Sequence, residues 1–188
     1  MNIKSVDALP EGYQLDREIN LEKDKRLFWM INILSIVLFI PFVLIAIVLQ
    51  ISFTIEIIPV MMIFPLSIGA IIIHELIHGF FFKRGTKQKV KFAFHGWAAS
   101  ASVPGVYFYK HHYLKVGLSP AIILNGLLIF LLLVLPNAWF YPLYITLAIH
   151  FGGCIGDFYV SLLLRKYDAS TLIEDTGVGM KFYTKTKC

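Results

Sequence analysis

Charge is what most of this chain lacks. Residues 27–55 contain no Asp, Glu, Lys or Arg, residues 57–73 contain none either, and only His150 interrupts the run from 116 to 156. A bilayer-crossing helix needs roughly 20 apolar residues, and the last of these runs is long enough for two. With 57% hydrophobic residues over 188 positions, the composition excludes a soluble globular class and fits a single membrane-embedded domain. Cysteine is scarce as well: the two present are Cys154, inside an apolar run, and Cys188, at the end. That excludes a disulfide framework and leaves ordinary thiols; Cys188 also has no prenylation context. There is no internal repeat, no phosphate-binding glycine motif and no nucleophile–base arrangement.

The charge-free runs predict an all-α membrane protein with four transmembrane helices near residues 27–50, 57–82, 117–135 and 139–164. Leu135-Pro136-Asn137 supplies the turn between the last two. The first run is too long for the apolar core of a signal peptide, and no small-x-small cleavage site follows Gln50, so it reads as a retained helix.

The net charge of +5 is distributed in a way that argues against nucleic acid. All 17 basic residues fall before the first helix, between the second and third, or after the fourth. The loops at 51–56 and 136–138 have none. The positive-inside rule then predicts a cytoplasmic N-terminal segment (1–26), a cytoplasmic central loop and a cytoplasmic tail (165–188). Within the central loop, Lys89-Val90-Lys91-Phe92-Ala93-Phe94 alternates and Val106-Tyr107-Phe108-Tyr109 is rich in strand formers. These predict a small cytoplasmic β-hairpin or sheet between the second and third helices, able to bind an extended peptide at 89–94 or 106–109. An aromatic loop resting on lipid headgroups is the alternative. Leu9-Pro10-Glu11-Gly12-Tyr13 reads as a turn, and the segment after Asp175 as a turn leading into a short strand.

Against this apolar background, His74-Glu75-Leu76-Ile77-His78 stands out. On a helix, residues four apart share a face, so both imidazoles can bind one metal ion while Glu75 reaches a nearby water. Histidines and a carboxylate at membrane depth are costly without partners, which makes a functional site the default reading. Asp157 is the only other acidic residue within a span. Counting back from Lys83 and Arg165 puts His74, His78 and Asp157 within a slab roughly 6 Å thick at 1.5 Å per residue. Two histidines and a carboxylate are a usual zinc set, leaving a position for water. Asp157 is therefore the expected third ligand, or else a hydrogen-bond partner of a ligating histidine. His150 is a weaker candidate ligand, roughly 10 Å deeper on a straight helix. Asn125, at a similar depth on the third helix, is a candidate for oxyanion stabilisation or substrate binding. Gly152, Gly153 and Gly156 allow close helix approach near Asp157. His95, His111 and His112 read as surface histidines, and Glu174 and Asp175 as solvated turn acids rather than late ligands.

The residues Leu9-Pro10-Glu11-Gly12-Tyr13, His74-Glu75-Leu76-Ile77-His78-Gly79, Ser119-Pro120, Gly156-Asp157 and Asp175-Thr176-Gly177 together resemble the putative zincin peptidase family of small bacterial membrane proteins. The arrangement is also similar to site-2 intramembrane metalloproteases, although Asp157 is followed by Phe158 where those proteins have glycine. The resemblance implies a bacterial cell-membrane zinc endopeptidase acting on peptide or membrane-protein substrates among membrane lipid. His74, His78 and Asp157 would be the ligands and Glu75 the general base. A metal-binding transporter or sensor, and a catalytically inactive membrane scaffold, are the competing readings.

Overall fold

The computed structural model describes residues 3–50, 57–96 and 98–186. The loop expected at 51–56 and Cys188 lie outside the described residues.

Four helical segments are long and apolar enough to cross a membrane, in agreement with the charge-free runs. They are α1 (Lys25–Val48), α2 (Ile57–Lys83), α3 (Lys110–Val134) and a final segment of two helices, α4 (Phe140–Gly153) and α5 (Ile155–Leu164). Asp24 caps α1, its Oδ1 accepting from the Leu27 N–H at 3.0 Å. A single tight turn, Asn137–Trp139, joins α3 to α4. Large apolar side chains such as Ile36, Val48, Phe64 and Leu133 point outward, as lipid-facing residues must. Inside the bundle, Ala70, Leu124, Leu128, Leu143 and Leu147 pack together. Small side chains let α1 approach α4: a Cβ on Gly152 would lie 3.0 Å from the Ser35 carbonyl oxygen.

Two features of the helices differ from the sequence reading. The third begins at Lys110, about two turns before the expected 117, because His111, Lys115 and their neighbours continue the helix beyond the apolar run. The fourth is interrupted at Cys154 after the Gly152-Gly153 pair, whose residues favour helix least among those without a ring.

The all-α expectation is corrected. With 58% helix and 18% strand the fold is mixed. One sheet has the antiparallel order β1-β5-β6-β7-β2, built from β1 (Ser5–Val6), β2 (Tyr13–Asn20), β5 (Tyr107–Tyr109), β6 (Leu172–Asp175) and β7 (Gly179–Lys185). A separate hairpin pairs β3 (Lys91–Phe94) with β4 (Ala99–Ser102). The expected loop hairpin is therefore present, but its second strand is Ala-Ser-Ala-Ser rather than 106–109. The 106–109 run supplies β5, which lies between β1 and β6 and has no free edge for a docking peptide.

Strands from the N-terminal segment, the central loop and the C-terminal segment share one sheet, so all three lie at one end of the bundle. Phe108, Ile173 and Phe182 from this sheet pack with Phe82, Tyr113, Val116 and Leu164 from the helix ends. That second core fixes the sheet against the bundle, and the turn between β6 and β7 reaches over the polar residues of α2.

Candidate metal centre

On α2, His74 and His78 lie one helical turn apart and meet edge to face, with ring centroids 4.7 Å from each other and their Nε2 atoms at 3.0 Å. Asp157, in the first turn of α5, places Oδ2 3.3 Å from His74 Nε2 and Oδ1 3.4 Å from His78 Nε2. With metal–nitrogen bonds of about 2.0–2.1 Å, adjacent donors of a tetrahedral ion stand roughly 3.3 Å apart. The three separations match such an ion at the centre.

His78 shows what the cluster offers a cation. Its Nδ1 lies 3.0 Å from the Val116 carbonyl oxygen, which can only accept, so the ring proton sits on Nδ1. The lone pair on Nε2 then faces a carboxylate oxygen and a second imidazole nitrogen. Lone pairs held that close repel unless a positive charge, a proton or a metal ion, lies among them. The donor chemistry and the spacing both fit zinc.

The Val116 carbonyl is available because of Pro120. In an uninterrupted helix it would accept from the N–H four residues on, but proline has none. The oxygen accepts from Ser119 Oγ at 2.9 Å and from His78 instead. The Ser119-Pro120 pair is thus the sequence signal for this support.

Behind His74 lies a second imidazole. His150 Nε2 is 3.0 Å from His74 Nδ1, and His150 Nδ1 is 2.7 Å from Asn125 Oδ1. His150 therefore reaches the cluster more closely than counting along a straight helix suggests, since the helix breaks at Cys154 and the His74 ring spans the remaining gap. It contacts the far side of His74 rather than the face shared with His78 and Asp157. His74, His150 and Cys154 also group closely enough to hold an ion, with Cys154 Sγ 3.9 Å from His150 Nε2. Asn125 is buried and its amide oxygen is engaged by His150.

Glu75 lies on the cavity side of α2, where its carboxylate faces the backbone N–H of Ala101 in β4. The cavity has a volume of 230 Å³ and is lined by His74, Glu75, His78, Asp157, Ala99, Ala101, Tyr113 and Asp175 among others. Gly79 positions β4 through its partner strand: a Cβ there would lie 2.5 Å from the tip of the Phe92 ring, which rests against the helix. The β6–β7 turn closes another side, where Gly177, at φ +90°, approaches Ser100 and Ser102.

Several residues stand elsewhere than expected. Asp175 is not a solvated turn acid. It ends β6 beside the cavity, with Oδ2 accepting from Tyr113 Oη at 2.6 Å and Oδ1 from the Gly177 N–H at 2.9 Å. Burial pushes its carboxyl up to about 6, against the opposing effect of these two donors. Its place could be found only by pairing the C-terminal strands with the central loop. Glu174 accepts from Tyr183 Oη and from the Gly105 N–H, holding the sheet together away from the ligands. His112 is buried, stacked on Phe108 with Nε2 donating to the Phe81 carbonyl, and His95 lines the cavity with Nε2 3.0 Å from Ser100 Oγ. His111 is exposed, as expected.

No curated protein and no solved structure matches the chain. A family model described as "Putative zincin peptidase" matches residues 67–172, more than half of the 188 residues. The matched stretch carries the histidine pair, Glu75, the β3–β4 hairpin, Asn125, His150 and Asp157. The chain belongs to the putative zincin peptidase family.

Proposed function

We propose that the protein is a zinc-dependent, membrane-embedded endopeptidase that hydrolyses peptide bonds of membrane-associated substrates near the cytoplasmic face. The observation that carries this reading is the convergence of His74, His78 and Asp157 at tetrahedral spacing in a cavity that Glu75 also lines. His74, His78 and Asp157 would hold the ion. Zinc, when bound, supplies Lewis acidity that acidifies water and polarises a carbonyl.

Glu75 takes the proton of the attacking water at its carboxylate and returns it to the departing amine. The Ala101 N–H lies nearby, on the strand that borders the cavity. β4 pairs with β3 on one side, and among the described residues no strand pairs with its other side. An extended substrate segment adding to that edge would lie alongside Glu75. A helical peptide bond is shielded by its own hydrogen bonds, so extension of the substrate precedes attack.

The membrane orientation follows from the one-sided basic residues. The end of the bundle that carries the sheet is the cytoplasmic one, which also gives the buried polar site its nearest source of water.

The test is a comparison of membrane proteomes from cells carrying the wild type and Glu75→Gln. Membrane-protein fragments should depend on Glu75, with hydrolysis reduced about 10²- to 10⁴-fold in the variant. If no fragment depends on Glu75 while the purified protein holds zinc, the endopeptidase reading fails. Zinc flux retained by Glu75→Gln would then favour a transporter, and no flux a scaffold.

A further inference from the structure

His74 is held differently from its partner ligand. The Nδ1 of His78 meets a backbone carbonyl, whereas the Nδ1 of His74 meets another imidazole, at 3.0 Å from His150 Nε2. A neutral imidazole has one proton to place, and its position on one nitrogen dictates the role of the other. The hydrogen-bond chain from His74 through His150 ends at Asn125, whose Oδ1 lies 2.7 Å from His150 Nδ1.

An amide oxygen can only accept. The proton of His150 is therefore on Nδ1, and its Nε2 carries a lone pair. That lone pair accepts from His74 Nδ1–H, which leaves the lone pair of His74 on Nε2, facing His78 and Asp157. We propose that Asn125 and His150 are positioning residues that set the tautomer of His74 and so present its Nε2 as a metal donor. This inference rests on the zinc reading of the same site and assigns Asn125 a role other than contact with substrate.

The opposite polarity shows what the chain controls. With the Asn125 amide turned over, its NH₂ would donate to His150 Nδ1, both histidine protons would move to Nε2, and His74 Nε2–H would point into the ligand cluster. A protonated nitrogen cannot ligate zinc. Asparagine permits either polarity, whereas aspartate at this position could only accept. His150 and Asn125 are 6% and 7% exposed, so water is poorly placed to replace either link.

The neighbouring thiol does not substitute for this arrangement. Cys154 Sγ stands 3.9 and 4.0 Å from the ring nitrogens of His150. A metal held by His74, His150 and Cys154 would need a lone pair on His74 Nδ1, the atom that the chain from Asn125 keeps protonated.

The test uses the purified full-length protein in detergent, titrated with zinc against a competing chelator, together with nitrogen NMR of isotope-labelled histidine. Wild type should bind zinc, and its spectrum should show protonated Nδ1 on both His74 and His150. Asn125→Leu should weaken zinc binding about 10- to 100-fold, the usual cost of losing a group that orients a metal ligand. Asn125→Asp should restore most of the affinity, which a requirement for bulk alone would not explain. Cys154→Ala should bind as wild type does.

Equal affinity of wild type and Asn125→Leu would overturn the assignment. So would a zinc-loaded wild type with the His150 proton on Nε2, a reading that needs no variant to fold. Loss of zinc in Cys154→Ala would move the ion to the other histidine face and likewise overturn it. A wild type that takes up no zinc is a separate result, since it removes the metallopeptidase reading on which this one stands.

Discussion

Pro120 determines what His78 is bonded to, although the two side chains sit on different helices. By removing one N–H from α3, it leaves the Val116 carbonyl to accept from His78 Nδ1 at 3.0 Å. Pro120→Ala should restore a competing donor and lower zinc affinity, by at most about tenfold because the Ser119 hydroxyl, which also bonds this carbonyl, can rotate away and leave room for His78. The helix itself should become more stable, since alanine favours helix by about 3 kcal/mol over proline in soluble hosts. Zinc titration and thermal melting of the same variant check both halves; unchanged affinity would show that the freed carbonyl has no bearing on the metal.

Asp175 predicts a pH dependence. Its carboxyl is raised from an ordinary value of 3.8 to about 6 in the folded protein, so folding favours its protonated form. The resulting stability is complete below the ordinary value and is lost as pH rises through about 6. Melting curves of wild type and Asp175→Asn should therefore converge or reverse in favour of wild type as pH falls from neutral to about 5. A difference that does not change with pH would contradict this.

Gly179 begins β7 where the strand runs against the Ile19 carbonyl of β2, and an added Cβ there would collide with that backbone oxygen. Gly179→Ala should destabilise the protein by about 1–3 kcal/mol, the usual range for overpacking. Chemical denaturation would measure it, and a neutral substitution would mean that the β2–β7 pairing yields easily.

Reporter fusions test the orientation. Fusions at Ala98 and after Lys185 should report cytoplasm, and one at Asn137 the opposite side. A cytoplasmic signal at Asn137 would break the four-span arrangement.

The helices were legible because lipid demands long charge-free runs, and their absence of charge is a local property. The histidine pair was legible for the same reason: its spacing lies within one helix. Asp157 could be placed by depth, since each span has a basic residue marking its boundary. Strand-forming runs were legible at β5 and β7, but the five-stranded sheet was not, because it pairs strands from three distant segments. β2 carries Asp16, Arg17 and Glu18 on an exposed edge, and β4, in the separate hairpin, is made of alanine and serine, so neither shows the usual strand composition. The surroundings of Asp175 and His112 were hidden as a consequence, since Asp175 ends a strand of that sheet and His112 is covered by Phe108 of β5 and by the end of α2. The partnership of His150 with His74 was hidden by the helix break at Cys154.

The most direct test is metal content of the purified protein after saturation with zinc and removal of excess. Wild type and Glu75→Gln should retain one zinc ion per chain, because Glu75 is not a ligand. His74→Ala, His78→Ala and Asp157→Ala should each lose most of it while remaining folded by circular dichroism. His150→Ala should still fill at saturating zinc but release the ion more readily. Full zinc retention by Asp157→Ala, or none in folded wild type, would contradict a site built from His74, His78 and Asp157.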